Sequence, residues 1–283
     1  MQGFINVIKE SGMTSFDVVN KVKRKLNIPC GHMGTLDPMA SGVLAVGIGK
    51  TTRLFNYLLD KEKVYVADFE FGYETDTLDV TGEVLRENRF PIKEEDIIKN
   101  LPSFIGEIDQ IPPKYSAKNI NGKRGYQLAR EGVEFTLESK KVTILDFKLI
   151  KKINDTTYRF EITCKGGTYI RSLARDLGYK LGTFGTMVSL DRRKAGIFTY
   201  DNAITVEELL NTPIEELKII PADEAVDFTK ILLGRRTAER LVNGVKEKYA
   251  YPDGIYRVYS KVEFLGVGEV KDYEFKLKAY LKE

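Results

Sequence analysis

The only histidine of the chain, His32, lies five residues before Asp37 in the segment GHMGTLDPMASGVL, residues 31–44. A carboxylate held in a constrained loop is able to attack a substrate covalently or to stabilise positive charge that develops on it. Gly31 and Gly34 tolerate positive φ and let backbone approach a ligand, and Pro38 biases Asp37 toward an extended or turn conformation. Val43, Leu44, Val46 and Ile48 follow as an apolar run of strand length, so the loop feeds a buried strand. An aspartate before proline is also ordinary turn chemistry, and a lone histidine serves as readily in a structural role. The segment alone leaves both readings open.

The elements around it define what positions this carboxylate. Phe4–Ile8 reads as a short strand left through a turn at Ser11-Gly12. Thr14 caps a helix whose apolar Phe16, Val18, Val19, Val22 and Leu26 recur at helical spacing, with Lys21, Lys23, Arg24 and Lys25 on or near the polar side. Lys50–Leu59 suits a short helix, and Lys63–Phe71 alternates as a half-buried strand that carries Tyr65 near its start, a position usual for packing. In GYETDTLDVTGEV the acids Glu74, Asp76 and Asp79 lack the terminal glutamate of a calcium-binding EF-hand loop and read instead as turn-forming, loop-bracing side chains.

Ile92–Leu101 has helical periodicity with an acidic start. Lys141–Ile150 and Thr157–Cys164 read as an antiparallel hairpin turning at Asn154-Asp155. From Tyr169 a helix carries Ile170, Leu173, Leu177 and Leu181 inward and puts Arg171 in its first turn, where a cation opposes the helix dipole; that position calls for a carboxylate nearby. Beyond about Phe228 short apolar strands are separated by glycines, the pattern of a small β barrel.

Composition narrows the function classes. In 283 residues, 42% hydrophobic and 30% charged, there is enough chain for one large domain and a small one. Basic and acidic residues number 44 and 41, so a basic surface arises only by segregation. That segregation occurs from Lys118 to Lys152, where nine basic residues face four acidic ones. With Tyr115 and Tyr126 interleaved, this stretch is equally a solvated hairpin or a surface that neutralises phosphates and stacks on bases. Cys30 and Cys164 fit neither a disulfide framework nor zinc spacing, and a single histidine excludes a histidine-rich metal site. No signal pattern and no apolar run near ~20 residues is present, which points to the cytoplasm.

The segment GHMGTLDPMASGVLAVGIGKTTR resembles the GHxGTLDPxAxGxL motif of the TruB family of tRNA pseudouridine synthases. Further motifs follow in the family's order: Lys63-Val64-Tyr65, the Thr75-Asp76-Thr77 element, PPKYSAKNINGKRGYQLAREG, GTYIRS at 167–172, and Met187 to Phe198. Lys9 and Gly12 match the family's Lys-Pro-x-Gly element, whose proline is absent here. LLGRRTAERLVNGV and KVEFLGVGEV are similar to its abbreviated PUA-type RNA-binding domain.

The resemblance implies an α+β pseudouridine synthase fold, with a central mixed, mainly antiparallel sheet flanked by helices, plus a small C-terminal β-barrel-like PUA-type domain. It places a catalytic domain at 1–226, with an RNA-binding insertion at about 114–152, and the PUA-like domain at 227–283. It further implies isomerisation of uridine-55 in the T-loop of tRNA to pseudouridine, by a monomer that needs no metal or other cofactor. Asp37 is then the catalytic residue, Arg171 its partner and Tyr65 the ring stacked on the base. His32, Tyr169, Leu190, Lys9, Lys118 and Arg130 are the substrate-binding residues, with His32 either filling the space left by a flipped base or bracing the loop. The alternatives are a guide-RNA-dependent relative and a non-catalytic RNA-binding chaperone of tRNA folding.

Overall fold

The strand Gly3–Lys9 runs antiparallel to Ser41–Ile48, with Val7 opposite Leu44 and Ile5 opposite Val46, and parallel to the short strand Ile204–Thr205. The computed structural model describes residues 1–116, 119–120, 122–133 and 135–281, and of residues 119, 120, 123, 124, 126 and 130 the backbone alone. The chain divides into two units, one of residues 1–38, 42–59 and 196 onward, the other of 39–41 and 60–195.

In the first unit, the helix Ser15–Leu26 begins at a capping box in which Thr14 and Asp17 each satisfy the other's backbone amide. Its buried Val18, Val19, Val22 and Leu26 pack against Ile5, Val7, Leu44, Val46 and Ile48. Phe16, expected on this apolar face, is 65% exposed. At 3.6 residues per turn it lies about 100° from the mean direction of the buried residues. The expected helix at 50–59 is a 3-10 helix, Gly49–Tyr57. A further strand, Cys30–Met33, pairs with Ser41–Ile48 and sets His32 opposite Val46.

The C-terminal part of this unit is a five-stranded sheet in the order Thr229–Leu233, Gly254–Ser260, Glu263–Lys271, Glu274–Tyr280, Glu247–Lys248. The helix Arg235–Val242 covers its core through Ala238 and Leu241. Register shifts interrupt the ladders at Val258/Tyr259 and Val267/Gly268, and such bulges bend the strands, so the sheet curls into a half-barrel. At Gly266, φ +137°, a Cβ would lie 1.8 Å from the Ala279 carbonyl oxygen, so only glycine lets the two strands approach there. Val267 and Ala279 share a core cluster with Phe4, Leu54 and Ile220.

The second unit is built on five antiparallel strands in the order Gly185–Ala195, Lys63–Phe71, Thr157–Cys164, Lys140–Lys152, Gly106–Gln110. Phe69, Phe147, Phe160 and Phe104 form a run of edge and tilted ring contacts at its centre. The turn expected at Asn154 is present, with its side-chain oxygen accepting from the amides of Thr156 and Thr157. The helix Ile170–Lys180 buries Ile170, Leu173, Ala174 and Leu177. It approaches the strand Gly185–Ala195 so closely that a Cβ on Gly178 would lie 2.4 Å from the Gly185 nitrogen.

Candidate active site

The loop bearing Asp37 is pinned on both sides of that residue. Ser15, the first residue of the first helix, accepts from the Leu36 amide through Oγ at 2.9 Å and donates to the Leu36 carbonyl at 3.1 Å. The Pro38 carbonyl accepts from the Gly12 amide at 2.9 Å and from Lys9 Nζ at 3.2 Å. Lys9 is wholly buried, and its ammonium also donates to the Glu10 carbonyl at 2.9 Å. A buried ammonium is tolerated where carbonyl oxygens replace its water, so Lys9 braces the Asp37 loop from beneath. Asp37 is half-buried between these two fixed residues. His32 is carried on a strand that precedes the loop, and Gly34, φ +78°, makes the turn out of it.

In the second unit the strand register brings two of the expected residues to one face. Tyr65 stands opposite Arg192, and Ala67 opposite Leu190. Directly opposed residues share a face, as do residues two apart on one strand, so Tyr65, Leu190 and Arg192 point the same way. Tyr65 and Leu190 are each 7% exposed. The Lys63 amine at the start of this strand is pulled down to about 8 by burial and by the nearby Arg192 guanidinium.

Arg171 is buried in the first turn of its helix. Nη1 donates to the Thr77 carbonyl at 2.9 Å and Nη2 to the Tyr115 carbonyl at 3.1 Å. The Oδ2 of Asp79 lies 3.5 Å from Nη1, which supplies the carboxylate that a cation at this position calls for. Asp79 Oδ1 accepts from Thr77 Oγ1, Thr81 N and Thr81 Oγ1, so the residue also braces its loop, as the sequence suggests. A buried ion pair holds together only when its remaining lone pairs and protons find partners, and here both partners are tied to the same 75–81 turn.

Tyr169, the N-cap residue of that helix, is clasped by a residue sequence reasoning did not single out. Gln110 accepts from the Tyr169 amide at 2.8 Å and donates to its carbonyl at 3.1 Å. Nothing in the local pattern of Gly106–Gln110 marks this glutamine, because its partner is 59 residues away. Ser172 Oγ and Arg175 Nη2 both donate to the Ile111 carbonyl, so the helix start is fastened to residues 110–111 along its first two turns. Lys118 lies outside the described residues. Arg130 ends the helix Gly125–Arg130, and its side chain is likewise outside the description.

Two family models cover most of the chain. The model for the TruB family pseudouridylate synthase N-terminal domain matches residues 22–170, and that for the tRNA pseudouridylate synthase B C-terminal domain matches residues 171–226. The chain belongs to the TruB family. Over its full length it is 42% identical to the tRNA pseudouridine synthase B of Clostridium perfringens strain 13, which is itself covered completely. A TruB-family relative from Clostridium kluyveri is 40% identical over 98% of each chain.

Among solved structures, the archaeal box H/ACA sRNP Nop10–Cbf5 complex contains a chain that matches with a TM-score of 0.71 at 25% identity, over 95% of this chain and 78% of that one. An H/ACA RNP bound to a substrate RNA containing 2′-deoxyuridine matches with a TM-score of 0.70 at 25% identity, with the same coverage. The α+β pseudouridine synthase fold with a mainly antiparallel sheet expected from the TruB motifs is the fold found, and where a small β-barrel-like C-terminal part was expected the chain forms a curled five-stranded sheet, a half-barrel. No helix among the described residues is long and apolar enough to cross a membrane.

Proposed function

We propose that this TruB-family pseudouridine synthase acts on tRNA and converts uridine-55 of the T-loop to pseudouridine, with Asp37 as the reacting carboxylate. Full-length identity to proteins named tRNA pseudouridine synthase B carries the reading of the substrate, and the doubly pinned loop around Asp37 supports its role. The isomerisation breaks the bond between C1′ and N1, joins C1′ to C5 of the same base, moves the C5 proton away and leaves a proton on N1. Electrons balance within the nucleotide, so the reaction requires no redox partner. A carboxylate serves either by covalent attack or by stabilising the oxocarbenium charge left on the sugar when the base departs.

In this proposal Arg171 keeps Asp37 ionised and oriented, a task suited to a guanidinium that is itself aimed by the Thr77 and Tyr115 carbonyls. Tyr65 offers its ring to the target base, with Leu190 on the same face of the sheet as an apolar wall. A stacked uridine has to turn out of the tRNA arm at a cost of a few kcal/mol. His32 fills the place it vacates, Lys9 and Tyr169 shape the surroundings, and Lys118 and Arg130 meet RNA phosphates. The protein works as a monomer in the cytoplasm, with residues 227–283 as a second RNA-binding domain.

The full-length relatives favour an enzyme that acts alone over a guide-RNA-dependent one, and a carboxylate held this firmly argues against a chaperone without chemistry. Incubation of the isolated protein with an unmodified tRNA transcript or a single T-arm stem-loop, followed by pseudouridine mapping at nucleotide resolution, tests the reading. Asp37→Asn is expected to bind tRNA and form no pseudouridine; normal turnover in that variant overturns the assignment.

A further inference from the structure

The first helix carries a surface that neither the core nor the Asp37 loop uses. Phe16, Asn20, Lys23 and Asn27 fall at positions i, i+4, i+7 and i+11, one stripe along the helix, and Arg24 flanks it. Phe16 is 65% exposed, and Lys23 and Arg24 are exposed. Among the described residues neither Lys23 nor Arg24 faces a carboxylate in an ion pair. The one acidic residue of the helix, Asp17, is held at the cap by the Thr14 amide and hydroxyl. The stripe therefore presents an aromatic ring, amides and uncompensated positive charge on a helix that the core fixes rigidly.

Its position bears on the site. Phe16 follows Ser15, whose hydroxyl holds both backbone groups of Leu36, and Leu36 precedes Asp37. From Phe16 to Lys23 the helix rises about 10 Å, roughly three nucleotide steps at the ~3.4 Å rise of one strand. An aromatic ring followed at that distance by paired cations matches a base or sugar face followed by phosphates.

We propose that the stripe from Phe16 to Asn27 is a second RNA contact of this chain, in which Phe16 packs on a nucleotide beside the target and Lys23 with Arg24 neutralises phosphates of the same strand. The proposal rests on the reading of the chain as an enzyme acting on tRNA. It extends the RNA contact from the active-site loop along the helix that anchors that loop, independently of the basic 118–152 stretch and of the C-terminal sheet.

The test is equilibrium binding of the full chain to an unmodified tRNA transcript across a salt series, with pseudouridine formation followed in parallel. Lys23→Gln/Arg24→Gln is expected to weaken binding at least about tenfold near 0.1 M salt. It also lowers the slope of log affinity against log salt by roughly 1.4–1.8, from 0.7–0.9 per phosphate contact. Phe16→Ala is expected to weaken binding about fivefold or more with the slope unchanged. The charge-matched pair Lys21→Gln/Lys25→Gln, off the stripe, retains more of the affinity than the stripe pair. Phe16, Lys23 and Arg24 are exposed, whereas Lys21 and Lys25 are half-buried and Lys25 Nζ donates to the Leu210 carbonyl at 2.9 Å. Circular dichroism and melting of the stripe variants should match the wild type, and a stripe variant that fails this check is replaced by Phe16→Ser or Lys23→Ser/Arg24→Ser. The control pair is compared at temperatures where it is fully folded. A wild-type chain that forms no pseudouridine on tRNA defeats the functional reading. A wild-type chain that does, with stripe variants that bind as it does or no worse than the off-stripe pair, overturns the stripe.

Discussion

Replacing Ser15 with alanine removes a single oxygen and strips two backbone groups of their partner. The Leu36 amide and carbonyl both bond to Ser15 Oγ, and Ser15 and Leu36 are 2% and 3% exposed, so water does not reach the groups left behind. Each unsatisfied buried group costs about 1–3 kcal/mol, and alanine returns no more than about 0.5 kcal/mol of helix propensity. If the loop stays in place, Ser15→Ala lowers stability by roughly 1.5–5.5 kcal/mol, a fall of about 3–22 °C in melting temperature at 2–4 °C per kcal/mol. If the loop instead opens to let water in, the stability loss shrinks but Asp37 moves with Leu36. A shift of ~1 Å at a reacting group costs on the order of 10²-fold in rate. Thermal or urea unfolding, paired with single-turnover pseudouridine formation on a tRNA transcript, measures both. Wild-type stability together with a wild-type rate would refute the idea that this hydroxyl fixes the carboxylate loop.

Two other perturbations test separate parts of the structure. Gly178→Ala gains about 1 kcal/mol in an exposed helix, but here the added methyl meets the Gly185 nitrogen at 2.4 Å and the Phe184 carbonyl carbon at 2.5 Å. The helix has to shift, at about 1–3 kcal/mol, and Arg171 at its start shifts with it. Net destabilisation and reduced turnover are expected, whereas Gly254→Ala, with only ordinary contacts beyond 3.5 Å, serves as the neutral control. Equal stability of the two variants would contradict the packing argument.

Lys63, 9% exposed, has its amine lowered from 10.5 to about 8 by burial first and Arg192 second. Below pH 8 the folded chain keeps a charge there that the unfolded chain holds in water, so Lys63 costs stability. Between about 8 and 10.5 the folded form has released a proton that the unfolded form retains, so wild-type stability rises with pH. A change of about 2.5 in pKa corresponds to about 3 kcal/mol. Lys63→Met should therefore lose up to that much of its advantage over the wild type between pH 7 and pH 10.5; a pH-independent difference in urea midpoints would sink this account.

Local chemistry was legible where cause and effect lie within a few residues. Thr14 caps the helix that begins at the next residue, Asn154 caps its own turn, Tyr169 precedes a helix with an inward leucine face, and the Lys63–Phe71 strand announces itself by alternation. The TruB motifs nominated candidate site residues as a set, because a motif names its residues by their spacing along the chain. The cation at Arg171 called for a carboxylate; the motifs named Asp37, and Asp79 stands 3.5 Å from Nη1.

What remained beyond reach depends on long-range pairing. Gln110 clasps Tyr169, and Thr77 and Tyr115 offer their carbonyls to Arg171. Phe16 turned outward because the helix settled its valine face, not its whole apolar set, onto the sheet. Residue types and short spacings determine which elements form and which side chains are able to react. Strand register and helix docking decide which of those side chains meet, since a hydrogen bond between distant residues exists only once the burial of apolar faces has set the positions of both.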